Sequence, residues 1–75
     1  MAMNQNREEG LEAAVQSFGG VAGLAAALGI SYAAVYQWSR IPTGRVLRIE
    51  RLTGIARERL RPDLYPDDLI GRSQP

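Results

Sequence analysis

The side chains best suited to recognition chemistry lie between Ser31 and Arg40. If Val35 and Trp38 face inward at their spacing of three, the outer face of a helix here carries Ser31, Tyr32, Ala33, Tyr36, Gln37 and Arg40. A glutamine amide can pair bidentately with adenine, and an alanine methyl can contact the methyl group of thymine. An arginine at the helix end suits a phosphate better than a base. This pattern favours a helix that reads DNA in the major groove.

The two tyrosines on this face allow a second interpretation. Each offers a hydroxyl for base edges or phosphates and a ring edge for methyl groups. Alternatively, Tyr32 and Tyr36 are partly packed against their own domain or form part of a protein interface, where aromatic residues are enriched. For Tyr36 we favour DNA, and for Tyr32 both interpretations stay open.

Catalytic chemistry has few candidates in this chain. The sequence contains no histidine, cysteine or lysine, which removes imidazole bases, thiolates, Schiff bases and nearly every zinc site. Asp67 and Asp68 are adjacent but have no third acidic residue nearby, as a metal site would require. We therefore expect no enzyme, no cofactor and no metal.

The elements that would position the candidate face form a helix-turn-helix pattern over residues 21–40, VAGLAAALGISYAAVYQWSR. Two helices are expected, over 21–28 and 32–40, and Ser31 is a good N-cap for the second. Ala25 is small enough for a close helix crossing, and Gly29 can adopt the positive φ that the turn requires. The inward positions are apolar, namely Leu24, Leu28, Ile30, Val35 and Trp38.

Three further helices complete the prediction. The first starts at a capping box of Asn6 and Glu9 and ends at the paired glycines 19–20. The fourth spans 43–53 after Pro42, and the fifth spans 56–61. Their predicted core residues are Leu11, Ala14, Val15, Phe18, Val46, Ile49 and Leu52. No segment has the alternation of a strand, so the sequence predicts an all-α fold of five short helices.

The chain of 75 residues is long enough for one small core. We expect a disordered N-terminus over 1–5, a helix-turn-helix domain over 6–65 and a flexible tail over 66–75. Leu64 and Tyr65 are expected to fold back on the core, whereas Leu69 and Ile70 either fold back or meet a partner. No apolar run approaches the roughly 20 residues of a membrane span, and no signal peptide is visible. A cytoplasmic protein is expected.

The net charge of +1 hides an uneven distribution. Residues 1–39 sum to −2, residues 40–61 to +5 and residues 62–75 to −2. Such asymmetry indicates either a polyanionic partner or solvated helix faces. Arg45, Arg48 and Arg51 follow each other every three residues and fit a solvated face, with Arg45 the best placed for a phosphate. Arg61 is expected to pair with Asp63.

Residues 10–68 resemble the Cro-like and YdaS-like helix-turn-helix regulators of lambdoid phages and prophages. The resemblance is carried by FGGVAGLAAALGISYAAVYQW, IPTGRVLRIERLTG and RPDLYPDD. It implies a lambda-repressor-like helix-turn-helix domain in a small cytoplasmic DNA-binding protein, typically an operator-binding repressor and in some cases an antitoxin. It also implies that bases are read by Ser31, Tyr32, Ala33, Tyr36 and Gln37, and that Arg40 contacts the backbone.

The sequence departs from this family at Val21, Tyr32 and Tyr36, where relatives often carry smaller or more polar residues, so the operator sequence is not implied. The functional expectation is a Cro-type repressor that binds a palindromic operator in double-stranded DNA as a homodimer. Half-sites one helical turn apart would be separated by about 34 Å. The alternative is an antitoxin or protein-interaction module whose main target is a toxin or another regulator.

Overall fold

The computed structural model describes residues 7–66, and these form an all-helical domain without a strand. The five α-helices are α1 (Glu9–Ser17), α2 (Val21–Leu28), α3 (Tyr32–Tyr36), α4 (Val46–Thr53) and α5 (Arg57–Leu60). A 3₁₀ turn, Thr43–Arg45, leads into α4. The predicted fold class is confirmed. Among the residues placed by sequence, Asn6, Asp67, Asp68, Leu69 and Ile70 lie outside the described range.

One hydrophobic core joins all five helices. α1 contacts α2, α4 and α5, and α3 rests on α2. Most of the predicted core positions are buried as expected, while Phe18, Ile30 and Trp38 are partly buried against its edge. The buried core consists of Leu11, Ala14, Val15, Leu24, Ala25, Leu28, Val35, Ile41, Val46, Ile49 and Leu60.

The turn between α2 and α3 has the predicted backbone geometry. Gly29 adopts a φ of 73°, in the left-handed region that glycine enters without a Cβ penalty. Its N–H donates to the carbonyl of Ala26, and the N–H of Ile30 donates to the carbonyl of Ala25 at 3.0 Å. These bonds satisfy carbonyls that the helix end would otherwise leave without partners. The chain therefore reverses within three residues and starts α3 at Tyr32.

The predicted end of the third helix is wrong. The sequence predicts a helix over 32–40, whereas α3 stops at Tyr36. Ile41 is fully buried, although no helical pattern singled it out. In a continuous helix, residues spaced by three differ by about 60° in direction around the axis. From Val35 to Trp38 to Ile41 the side chains would therefore turn progressively away from the buried side. The chain leaves the helix early, and this lets Ile41 enter the core.

The same rotation explains why one predicted core residue in α4, Leu52, is not buried. Val46 and Ile49 are fully buried, but Leu52 is 43% exposed. Leu52 lies about 120° around the helix axis from Val46, which is beyond the buried side. The fourth and fifth helices are also shorter than predicted, since residues 43–45 form the 3₁₀ turn and α5 begins only at Arg57.

The chain ends differ in part from expectation. Glu8, not Asn6, occupies the N-cap position of α1, and its side chain makes no capping hydrogen bond. Tyr65 packs against the core as predicted, but Leu64 is 39% exposed and stays outside it. Leu64 lies in a tight turn after Arg61, where its N–H donates to the carbonyl of Arg61. In this turn the Leu64 side chain points outward.

Within residues 7–66, no single helix is long and apolar enough to cross a membrane. α1 and α2 reach that length and composition only when taken together, and they are bent by 82° at their junction.

Candidate nucleic-acid interface

The exposed side of α3 carries most of the side chains that the sequence singled out. Ser31 is the N-cap of this helix, and its Oγ accepts a hydrogen bond from the backbone N–H of Ala34 at 3.1 Å. Val35 is buried and holds the helix on the core. The remaining candidate side chains on this helix and at its C-cap are exposed, namely Tyr32, Ala33, Tyr36 and Gln37. Together with Ser31 they form one outward surface, called the α3 face below.

The two tyrosines of the α3 face stack on each other. Their ring centroids are 5.7 Å apart and their planes differ by 17°. This contact follows from their spacing, since residues four apart lie on the same side of a helix. Tyr32 remains 54% exposed and Tyr36 remains 38% exposed. The pair is therefore a solvent-accessible aromatic surface and not part of the core.

Arg40 lies beyond the end of α3 and is paired with carboxylates from both ends of the chain. Its Nη2 and Nε contact Oε2 of Glu8 at 2.6 Å and 3.0 Å, and its Nη1 lies 3.6 Å from Oδ2 of Asp63. A phosphate at this position would compete with two carboxylates for one guanidinium. The predicted backbone contact by Arg40 stays a prediction.

The arginines of the basic segment divide into a paired and an unpaired group. Five arginines of the described residues are paired: Arg7 with Glu12, Arg40 with Glu8 and Asp63, Arg57 with Glu50, Arg59 with Glu9, and Arg61 with Asp63. Three arginines form no ion pair within residues 7–66, and these are Arg45, Arg48 and Arg51. Most of the charge that the sequence concentrates in residues 40–61 is thus neutralised by the two acidic ends of the chain. Within residues 7–66, the arginines without an ion pair lie on the 3₁₀ turn and α4.

Sequence reasoning missed the pairs Arg40–Glu8 and Arg59–Glu9 because their partners are distant along the chain. Arg40 and Glu8 are 32 residues apart, and Arg59 and Glu9 are 50 residues apart. The opposite net charges of the three segments were the one available signal. That signal indicates attraction between segments, but it does not say which side chains meet.

Arg61 joins the segment after α3 to the end of α5, and its predicted pairing with Asp63 is confirmed. The side chain is buried, with its Nε and Nη2 at 2.8 Å and 2.7 Å from the two carboxylate oxygens of Asp63. Its Nη1 donates to the carbonyl oxygen of Ile41 at 2.6 Å. The hydrogen bonds from Arg61 lower the pKa of Asp63 to about 2, and the same bonds raise the pKa of Arg61.

The Arg61–Asp63 pair is expected to make the domain sensitive to acid. Because the folded state lowers the pKa of Asp63 from its ordinary value of 3.8, the pair stabilises the fold fully above that value. This stabilisation is lost as the pH falls from about 4 through about 2. Thermal unfolding followed by circular dichroism should show Asp63→Asn melting below the wild type at neutral pH, with the difference shrinking in that window. A constant difference across the pH range would contradict the assigned pairing.

The structure defines an all-helical domain in which α2 and α3 form a helix-turn-helix arrangement. The chain belongs to the family described as Bacterial toxin YdaS, whose family model matches residues 11–69. This confirms the YdaS-like resemblance and places the chain among phage-associated toxin- and antitoxin-like regulators. No curated protein and no solved structure matched the chain significantly.

Proposed function

We propose that this protein is a sequence-specific DNA-binding regulator that places α3 in the major groove. The observation that carries the proposal is the α3 face, where a capped helix presents a glutamine, an alanine and two tyrosines to solvent. Five residues of helix span about 7.5 Å, which fits a groove about 12 Å wide. The protein would act without catalysis and without a cofactor.

The side chains of the α3 face suit different parts of the groove. The amide of Gln37 would pair with adenine, and the methyl of Ala33 and the tyrosine ring edges would contact thymine methyl groups. Ser31 already accepts a hydrogen bond at its Oγ, so its hydroxyl hydrogen is available to a phosphate or a base edge.

Phosphate contacts would come first from Arg45. It lies in the 3₁₀ turn at the start of α4 and has no ion pair within the described part of the chain. Arg40 would contribute only where a phosphate replaces Glu8 and Asp63. Unpaired guanidinium groups can contact phosphates without first breaking an ion pair, which favours Arg45 over Arg40.

One such domain covers only a few base pairs, so we propose that two copies bind a palindromic operator. The half-sites would be separated by one helical turn, about 34 Å. The regulator would then act as a Cro-type repressor in the cytoplasm by occupying the operator as a homodimer.

A second candidate function takes account of the toxin- and antitoxin-like class that the family match indicates. In this alternative the protein is an antitoxin or interaction module, and its main target is a toxin or another regulator. The exposed stack of Tyr32 and Tyr36 supports this alternative too, because aromatic residues are enriched in protein interfaces.

Selection of binding sites from random double-stranded DNA, followed by affinity measurements at several salt concentrations, separates the two functions. DNA binding predicts an enriched palindrome and a linear fall of log affinity with log salt, with a slope of about −0.9 per neutralised phosphate. The absence of enrichment, or an affinity that does not respond to salt, would support the interaction module instead.

Replacement of Gln37 by alanine tests the base contact. On the selected site, Gln37→Ala should weaken binding by about 1–3 kcal/mol and relax the preference at one base pair, because its amide would no longer pair with adenine. The measurement is a titration of cognate and single-mismatch duplexes. Gln16→Ala is the matched control, since Gln16 is exposed on α1 and bonds to Glu12. Equal losses on cognate and unrelated DNA would remove Gln37 from the base-reading role.

A further inference from the structure

Glu8 holds the guanidinium group of Arg40 just beyond the end of α3. The Oε2 atom of Glu8 accepts hydrogen bonds from Nη2 and Nε of Arg40 at 2.6 Å and 3.0 Å. The backbone N–H of Glu8 also donates to the carbonyl of Ser39 at 2.8 Å. The start of α1 is therefore fixed beside the segment that follows α3, and it brings a carboxylate to Arg40.

The carboxylate of Glu8 is not used to cap α1. Glu8 occupies the N-cap position of that helix, but its side chain makes no capping hydrogen bond. A side-chain oxygen at this position commonly accepts from the free N–H groups of the first turn. In this domain the oxygen bonds to Arg40 instead. Its removal would therefore release the guanidinium group without costing the helix a cap.

Asp63 is the weaker partner of Arg40. Its Oδ2 lies 3.6 Å from Nη1 of Arg40 but accepts a hydrogen bond from Nη2 of the buried Arg61 at 2.7 Å. Its Oδ1 accepts from Nε of Arg61 at 2.8 Å, so both carboxylate oxygens are already bonded to another arginine. Glu8 is therefore the main competitor of an anion that approaches Arg40.

Arg40 lies where a helix in the major groove would bring it near a phosphate. It follows Gln37, the C-cap of α3, by three residues, which span at most about 11 Å. The groove is about 12 Å wide, and the phosphates of the two strands border it. The side chains of Arg40 and Glu8 are 47% and 36% exposed, so ions can reach the pair. A phosphate and the Glu8 carboxylate would then compete for the same N–H donors.

We propose that Glu8 lowers the affinity of this protein for DNA by occupying the donors of Arg40 that would otherwise bind a phosphate. The inference rests on the proposed DNA-binding function. Carboxylates and phosphates bind a guanidinium group alike, through charge-assisted hydrogen bonds, so the loss of the first cancels most of the gain from the second. Phosphate contacts carry no sequence information. Glu8 therefore weakens binding to DNA of any sequence and increases the dependence on base contacts by the α3 face.

Glu8→Gln tests the proposal, because it keeps the size of the side chain and removes its charge. In titrations of a labelled duplex of random sequence, the affinity should rise about 2- to 5-fold at low salt, which is the range for one exposed ion pair. The slope of log affinity against log salt should steepen by about 0.9, as one more phosphate is neutralised. Glu8→Ser should give the same gain, and serine is a favoured N-cap that supports the start of α1.

Two further variants identify the guanidinium group responsible. In Glu8→Gln/Arg40→Gln the gain in affinity and the steeper slope should both disappear. Glu9→Gln is the matched control, because it removes the same charge from the adjacent residue but releases Arg59, whose Nη2 lies 2.8 Å from Oε2 of Glu9. Arg59 belongs to α5, which packs against α1 and α4. Glu9→Gln should therefore keep the slope of the wild type.

Three results would overturn the proposal while the wild type still binds DNA in a salt-dependent manner. The first is an affinity of Glu8→Gln and Glu8→Ser no higher than that of the wild type. The second is a gain that persists in Glu8→Gln/Arg40→Gln. The third is an equal gain in Glu9→Gln, which would assign the effect to net charge. If the wild type itself shows no salt-dependent binding, the proposed function fails, and this inference fails with it.

Discussion

Leu24→Ala is expected to lower the free energy of unfolding by about 2–5 kcal/mol. Leu24 is fully buried on α2, where it faces the core shared with α1 and α3. Truncation removes apolar contacts and leaves a cavity that the close-packed surroundings fill only in part. Domains are stable by about 5–15 kcal/mol, and small ones lie near the lower end. A large share of the total stability would therefore be lost.

Chemical denaturation followed by circular dichroism measures this effect. Leu64→Ala is the matched control, because it makes the same substitution at a leucine that is 39% exposed and outside the core. Its loss should be well below that of Leu24→Ala. Equal losses for the two variants would contradict the assigned core. Leu24 belongs to the same core as Val35 of α3. A loss of binding activity in Leu24→Ala would therefore indicate unfolding, not the loss of a direct contact between Leu24 and the binding partner.

Gly10→Ala is expected to destabilise the domain by about 1–3 kcal/mol or more, although alanine is the better helix former. A Cβ at this buried position in α1 would lie 2.6 Å from the carbonyl oxygen of Arg59 and would also collide with that of Leu60. Both obstacles are backbone atoms, which cannot rotate away as a side chain can. The gain in helix propensity is only about 1 kcal/mol, so the collision decides the sign.

The expected mechanism is separation of α1 from α5, which would also loosen the pairs Arg59–Glu9 and Arg40–Glu8 at the same end of α1. Thermal and denaturant unfolding measure the loss. Gly44→Ala is the matched control, because a Cβ there meets no atom within 4 Å and its backbone φ is not positive. That variant should be neutral or slightly stabilising. If the two variants were equally stable, the close approach of α1 and α5 would be wrong.

The ion pairs of the arginines determine where positive charge is exposed on the described part of this protein. The basic stretch over 40–61 does not form one continuous positive surface. Four of its arginines pair with carboxylates, and these are Arg40, Arg57, Arg59 and Arg61. What remains is a ridge on the 3₁₀ turn and α4. The proposed DNA-binding function uses that ridge at Arg45, for contact with a phosphate.

The sequence by itself determined the features that depend on local geometry. Four features follow from spacing within one or two helical turns: the helical class, the N-cap of α3 at Ser31, the reversal at Gly29 and the exposed α3 face. These patterns predict structure because neighbours at three or four residues share a helix face wherever that helix is placed. The local pair Arg61–Asp63, two residues apart, was predictable for a related reason.

Only the tertiary structure decided which side chains meet across the chain. The early end of α3 lets Ile41 enter the core. Leu52 is exposed because residues spaced by three turn progressively away from the buried side of a helix. The pairs Arg40–Glu8 and Arg59–Glu9 depend on α1 lying beside α5. Such contacts arise from packing between elements distant in sequence, and no local pattern encodes them. They do not involve the α3 face, and within residues 7–66 they leave arginines without an ion pair only on the 3₁₀ turn and α4.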